Sequence, residues 1–140
     1  NLSIKKDVKE ASDIWESARE TNTEVYPVLK SYWDTVGWRE SQWTPSGKPW
    51  SAAFVSWLLR NQKFPGDAAH TKYIRNILNE DTEWTAYSIP KNADKLVVSI
   101  GDVLVAPRSG GYANSHGDVV YNLRKGAALN AVQIAEALIK

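Results

Sequence analysis

Apolar residues recur at helical spacing through the first quarter of the chain. Residues 3–35 carry an apolar stripe at three- and four-residue steps, which predicts helix. Asn22 and Thr23 are modest helix formers and predict a break in it. Pro27 suits the first turn of the helical piece that follows. Residues 36–49, rich in Gly, Pro, Ser and Trp, predict a loop.

A second strong helical pattern covers residues 50–62. It follows Pro49, and Ser51 lies at its cap or in its first turn. The expected buried stripe is Phe54, Trp57 and Leu58. Residues 64–67 then form a turn, after which residues 70–79 predict a short helix. The side chains expected to face inward from this helix are Tyr73, Ile74 and Ile77.

Strand patterns follow the helices. Residues 96–106 are rich in Val, Ile and Leu and predict a strand, which Gly101–Asp102 interrupts with a bulge or tight turn. Residues 116–123 predict the next strand. The last residues are ambiguous, since 131–139 contains helix formers and 129–134 also suits a final strand. Helices followed by strands are typical of an α+β domain, in which N-terminal helices pack on a small antiparallel sheet.

Length and composition indicate one ordinary globular domain over residues 1–140. The net charge of +1 gives no field that would attract nucleic acid, and no apolar run of about 18 residues predicts a membrane span. Cysteine is absent, which excludes disulfides, thiolate metal ligands and thiol catalysis. We predict neither a cofactor nor a metal, because two distant histidines make a poor ligand set. The chain starts at Asn1 and contains no Met, so we expect a processed product or an excised fragment.

Ser51 is the first candidate for chemistry. A hydroxyl at a helix N-terminus lies at the positive end of the helix dipole, which favours a developing negative charge. The competing interpretation is a structural N-cap, for which serine is among the commonest residues.

His116 is the second candidate, and it opens the strand that contains Asp118. Residues two apart on a strand share a face, so the carboxylate is placed to orient the imidazole. A structural histidine at a strand start is the alternative. His70 is the third candidate, as a helix cap, a groove residue or a third polar group.

The chain contains seven Trp residues. They suit either core packing or a groove whose flat aromatic faces bind sugars or peptides. The groove interpretation makes Trp43, Trp50, His70 and Tyr73 candidate substrate-binding residues.

Four motifs in order resemble a known family. Residues 49–57, PWSAAFVSW, resemble the helix start of NlpC- and CHAP-like domains, and most closely the bacterial family known as domain of unknown function 2272, in which serine is usual. Residues 64–74 resemble that family's segment with a histidine and a Tyr-Ile pair. Residues 101–104 resemble the superfamily's GDL strand, and residues 115–120 its SHCDIV segment. The resemblance covers the motif-bearing core, residues 49–123, behind a helical region at residues 1–36.

The resemblance implies a papain-like core and a peptidoglycan hydrolase, either an amidase or an endopeptidase. By position Ser51 takes the nucleophile site, His116 the base and Asp118 the orienting role, with Asn130 a weaker candidate for the last. The substrate is then a peptidoglycan peptide or glycan, which implies a secreted, periplasmic or virion-associated protein.

Serine in place of cysteine leaves alternatives open. A serine hydroxyl is far less ionised than a thiol and needs a well-placed base. The chain is then a serine hydrolase, or an inactive cell-wall-binding or structural module of a phage particle or envelope complex. An engineered Cys-to-Ser replacement is a third explanation for Ser51.

Overall fold

The computed structural model describes residues 25–44, 48–79, 81–90, 92–107 and 115–120. These residues form four helices followed by two strands: α1 Tyr26–Thr35, α2 Glu40–Trp43, α3 Ser51–Leu58, α4 His70–Asn79, β1 Val103–Pro107 and β2 Ser115–Val119. The helices pack on a two-stranded antiparallel sheet, which confirms the predicted α+β class. The predictions for residues 1–24 and for the C-terminal segment, Asn130 included, lie outside the described residues.

Helix α1 begins and ends where its sequence favours a boundary. Pro27 occupies the first turn, where its missing N–H costs no helical hydrogen bond. At the other end Gly37 adopts a φ of 73°, in the left-handed region that glycine enters without strain. The N–H groups of Gly37 and Trp38 bond to the carbonyls of Asp34 and Trp33, which is the Schellman pattern of helix ends. The turn stacks the ring of Trp38 on that of Trp33, with their centroids 4.8 Å apart.

Helix α3 is buried on two sides because it lies between α1 and the sheet. On one side Ala53 joins the apolar cluster of α1 and α2, and on the other Ala52 and Val55 join the cluster of α4. The predicted stripe is therefore wrong in part. Leu58 is buried, whereas Phe54 and Trp57 are half-buried, and the smaller residues Ala52, Ala53 and Val55 are buried. A helix held on both sides favours small residues at its contacts over one broad stripe.

The strands pair antiparallel, with Leu104 opposite Asp118, Val105 opposite Gly117 and Ala106 opposite His116. The strand predicted over residues 96–106 is confirmed only from residue 103 onward. Before it, Val97 is 90% exposed, and the chain turns at residues 100–101. The predicted tight turn is present: the N–H of Asp102 bonds to the carbonyl of Ser99, and the Asp102 carboxylate accepts from the N–H of Ser99. Apolar composition therefore overstated the length of this strand.

Helix α4 begins at His70 and ends at Asn79, as predicted. Tyr73 and Ile74 are buried and Ile77 is half-buried, which confirms the expected inward side. Both α3 and α4 contact β2, and their first residues, Ser51 and His70, lie within hydrogen-bond distance of each other. Within the described ranges, no helix has the length and apolarity that crossing a bilayer requires.

A serine–histidine cleft as the candidate active site

Ser51 and His70 meet at the N-termini of two helices. Ser51 is the first residue of α3 and His70 the first residue of α4. The Ser51 Oγ lies 2.6 Å from Nε2 of His70, a hydrogen bond between side chains 19 residues apart in sequence. Trp50, the residue before α3, forms no side-chain cap, so its side chain does not occupy the first-turn N–H groups beside Ser51.

The other ring nitrogen of His70 is also engaged. Its Nδ1 lies 2.5 Å from the hydroxyl of Tyr73, one turn further along α4. When the Ser51 hydroxyl donates to Nε2, the proton of the neutral ring sits on Nδ1 and is donated to the phenol oxygen. The opposite tautomer reverses both bonds. Tyr73 therefore fixes the ring orientation in either case, and the first tautomer leaves Nε2 ready to accept the serine proton.

Gly117 gives Tyr73 the space it occupies. A Cβ added at Gly117 would lie 3.0 Å from Nδ1 of His70 and closer still to the Tyr73 hydroxyl. Gly117 is itself buried at the middle of β2. Any side chain at this position would collide with His70 and Tyr73. The contact between these two residues therefore requires glycine at position 117.

Tyr73 stays a neutral phenol. Its side chain is 1% exposed, and burial raises the pKa of Tyr73 far above its usual value; the negative charge of Asp118 raises the pKa further. A protonated phenol offers an acceptor oxygen to Nδ1–H but no counter-charge. The negative charge that acts on Tyr73 comes from Asp118.

His116 and Asp118 form a second pair beside the first. Their shared strand face, predicted from the two-residue spacing, brings Nε2 of His116 within 3.3 Å of Oδ1 of Asp118. The His116 ring meets the His70 ring edge-on, with their centroids 5.1 Å apart. Among the described residues, the hydrogen-bond partner of the Ser51 hydroxyl is His70 and not His116. The two predicted histidines are therefore neighbours, and His70 is the one that contacts serine.

A buried serine anchors the segment that leads into α4. Ser56 is 2% exposed, and its hydroxyl donates to the Ala52 carbonyl at 2.8 Å. The same oxygen accepts from the N–H of Asp67 at 3.0 Å. These bonds join α3 to the turn three residues before His70, so they fix the distance between the two helix starts.

Ser51 and His70 lie in the wall of a cleft with a volume of about 330 Å³. Its lining comes from α1, the loop before α3, the segment around the start of α4, and the start of β2. The aromatic part of the wall is the stacked pair Trp33 and Trp38. Ser51 is half-buried and His70 is 8% exposed, so the serine side of the pair faces the cleft.

The predicted substrate-binding residues divide between the site and the core. His70 and Tyr73 belong to the site, because His70 contacts Ser51 and Tyr73 contacts His70. Trp43 is 6% exposed and packs with Trp33 in the helical core, at a centroid distance of 6.4 Å. Trp50 is half-buried and stacks on Tyr32, at 6.1 Å. Neither tryptophan lines the cleft.

Sequence reasoning missed the role of Gly117. The spacing of His70 and Tyr73, three apart on one helix, was a usable signal because such side chains share a helix face. No local pattern marks Gly117, whose role comes from distant neighbours. Across the described ranges there is no group of three or more His, Cys, Asp or Glu residues that would hold a metal ion.

Comparison with known protein families gives a match. The sequence profile of the family described as "Uncharacterized protein conserved in bacteria (DUF2272)" matches residues 2–128, most of the chain and all of the site described above. No curated protein and no solved structure matches the chain.

Proposed function

The chain belongs to the DUF2272 family of bacterial proteins, and from this premise and the site geometry we propose that it is a serine-dependent acyl-transfer hydrolase of the cell wall. The observation that carries the proposal is the 2.6 Å hydrogen bond between Ser51 Oγ and His70 Nε2 in the wall of an open cleft. A nucleophile within hydrogen-bond reach of a base, with the base held by a third group, is the arrangement that activates serine.

The chemistry assigns each proton. Ser51 Oγ attacks the carbonyl carbon of an amide while Nε2 of His70 takes the hydroxyl proton. The carbon–nitrogen bond then breaks, and Nε2 gives that proton to the departing amine. The acyl group remains on Oγ as an ester, and a water activated by the same nitrogen releases it as a carboxylic acid. The first-turn N–H groups of α3 are positioned to favour the transient oxyanion.

We assign the base role to His70 in preference to His116. The resemblance to papain-like enzymes gives this role to the histidine on the sheet, which is His116. The contact with the serine favours His70 instead. In this assignment His116 and Asp118 form a flanking pair, and the negative charge of Asp118 stabilises the imidazolium that His70 becomes during the reaction.

We extend the proposal to the NlpC and CHAP superfamily, with a peptidoglycan peptide or amide bond as the substrate. Its support is the packing of the serine-bearing helix α3 on β2, the strand that carries His116. The motif order along residues 49–120 supports it as well. A peptidoglycan substrate implies a location beyond the cytoplasmic membrane, in a secreted, periplasmic or virion-associated setting.

A second candidate is a binding module that keeps the cleft without hydrolysis. The observation that favours it is the identity of the group on Nδ1 of His70, a phenol where hydrolytic triads carry a carboxylate. A neutral phenol stabilises an imidazolium less well than a carboxylate does. Such a module would bind glycan, peptide or a phage or envelope protein through the same cleft.

The test is mass spectrometry of purified peptidoglycan fragments after incubation with the protein. We expect new amine and carboxyl termini with the unmodified chain, and none with Ser51→Ala. Products formed only by Ser51→Cys would show that the site needs a thiol and would contradict a serine mechanism. Intact fragments with every version, together with retained binding of the fragments, would establish the binding module.

A further inference from the structure

The cleft around Ser51 is lined by positive charge. Lys48 and Lys72 are the formally charged residues in its lining, and the lining described contains neither Asp nor Glu. The cleft lining therefore contributes two lysines and no acidic residue.

Both ammonium groups are available to a ligand. Lys48 is exposed and forms no ion pair with any residue in the described ranges. Among the described residues, Lys72 pairs with Asp67, whose Oδ1 lies 3.8 Å from the Lys72 Nζ, beyond hydrogen-bond length. The Lys72 side chain is 63% exposed. Exposed pairs of this kind contribute little free energy, so a bound carboxylate can replace Asp67 at small cost.

The two lysines flank the reacting pair along the chain. Lys48 precedes Ser51 by three residues, and Lys72 follows His70 by two. Their main chains therefore approach the cleft beside the serine and beside the histidine. The half-buried Trp38, stacked on the buried Trp33, supplies an apolar surface for the uncharged part of a ligand.

We propose that the cleft selects acyl substrates that carry a free carboxylate close to the scissile carbonyl, as acidic peptides do. This inference rests on the proposed function, because it names the substrate class of the same Ser51–His70 site. The carboxylate binds between the Lys48 and Lys72 ammonium groups while the carbonyl carbon lies at Ser51 Oγ. Neutral acyl compounds of the same size lack that attraction.

The experiment compares two activated esters of equal length, the mono-para-nitrophenyl ester of glutaric acid and its methyl-capped counterpart. We expect the unmodified protein to have a higher kcat/KM for the acid. Lys48→Glu and Lys72→Glu should each lower that preference by up to about fivefold, the range of a single exposed charge contact. Lys95→Glu is the matched control, since Lys95 is exposed, lies outside the cleft lining and changes the net charge equally.

Salt gives a second readout with the unmodified protein. The preference for the acid should shrink toward unity at about 1 M salt, where the screening length falls to about 3 Å. Equal kcat/KM for the two esters at low salt would overturn the inference while leaving the hydrolase proposal intact. A preference that survives both charge reversals would overturn it as well.

Binding separates this inference from the proposed function. If neither ester is hydrolysed, the hydrolase proposal fails, and glutaric acid monoamide and glutaric diamide are then titrated into Ser51→Ala by tryptophan fluorescence. Tighter binding of the monoamide that is weakened by Lys48→Glu or Lys72→Glu, and not by Lys95→Glu, would still support an anion-selective cleft. Equal binding of the two compounds would reject it.

Discussion

At the scale of single residues, the site depends on how one imidazole is held. His70 has both ring nitrogens engaged, one by Ser51 and one by Tyr73. Because the ring is nearly buried, a lost partner leaves a polar atom without water to replace it. The two hydrogen bonds that orient the His70 ring therefore also decide whether its Nε2 can accept the serine proton.

Tyr73→Phe tests the orienting contact. The ring keeps its edge contact with Phe64, at a centroid distance of 5.0 Å, while the hydroxyl bond to Nδ1 is lost. We expect kcat to fall about tenfold or more because the productive tautomer is no longer favoured, with KM little changed. The free energy of unfolding should fall by about 1–3 kcal/mol.

Tyr87→Phe is the matched control for this change, because the Tyr87 side chain is 86% exposed. It should leave kcat unchanged and alter the free energy of unfolding by no more than about 0.5 kcal/mol. Unchanged kinetics in Tyr73→Phe would show that the phenol is only a packing contact. The kinetics are measured by ester turnover and the stability by chemical denaturation.

At the scale of elements, the site exists because strand β2 approaches helix α4 closely. The approach is closest at Gly117, opposite the His70–Tyr73 pair. Strand β2 packs against both α3 and α4, the two helices whose first residues meet in the site. The contact between these elements is therefore as important to the site as any one side chain.

Gly117→Ala should break the site through this approach. The new methyl group would overlap the Tyr73 hydroxyl, so Tyr73 or β2 must shift, and the bond to His70 is lost. We expect a loss of hydrolysis together with a destabilisation of about 1–3 kcal/mol, as overpacking usually costs. In a Tyr73→Phe background the hydroxyl is absent, so the added cost of Gly117→Ala should be clearly smaller.

Gly37→Ala provides the contrast. Gly37 has no neighbour within 4 Å of an added Cβ, but its φ is 73°. This variant should lose about 1 kcal/mol of unfolding free energy through backbone strain and keep its activity.

For Gly117→Ala, equal stability costs in the two Tyr73 backgrounds, measured by denaturation, would argue against the proposed overlap.

At the scale of the whole molecule, buried Tyr73 links stability to alkaline pH. The pKa of Tyr73 is raised in the folded state, first by burial and then by the charge of Asp118. Above about pH 10 the unfolded chain releases the phenol proton while the folded chain retains it. The folded state then binds more protons, so the free energy of unfolding falls as the pH rises past that point.

The predicted observable is the stability difference between the unmodified chain and Tyr73→Phe, followed from pH 8 to 11 by denaturation. It should be constant below about pH 10 and shrink above it. The hydrogen bond from Tyr26 to Glu40 also raises the pKa of Tyr26, to about 12. Tyr26 is present in both proteins, so its effect cancels in the difference. A difference that stays constant through pH 11 would mean that Tyr73 ionises alike in the folded and unfolded chains.

Local pattern was sufficient for some of these features. The bounds of α4, the position of Ser51 at a helix start and the shared face of His116 and Asp118 all follow from spacing that neighbouring residues set. The strand prediction over residues 96–100 went wrong because apolar composition does not reveal whether a sheet partner is present. In the described part of the chain no strand pairs with Val97, which lies exposed.

The central contact required information that spacing does not contain. Ser51 and His70 begin different helices, and which helix starts meet depends on how α3 and α4 pack on β2. The resemblance to papain-like enzymes pointed to His116, which is on the strand beside His70. The centroids of the two rings are 5.1 Å apart. Which of two rings this close contacts the serine is decided by the tertiary structure.

The most direct measurement of the central claim is the rate at which a fluorophosphonate modifies Ser51, followed by intact mass and peptide mapping. We predict a single adduct on Ser51 in the unmodified chain, a rate about a hundredfold lower in His70→Gln, and a rate within about tenfold of the unmodified chain in His116→Gln. No adduct on Ser51, or a rate that depends on His116 and not on His70, would contradict the account.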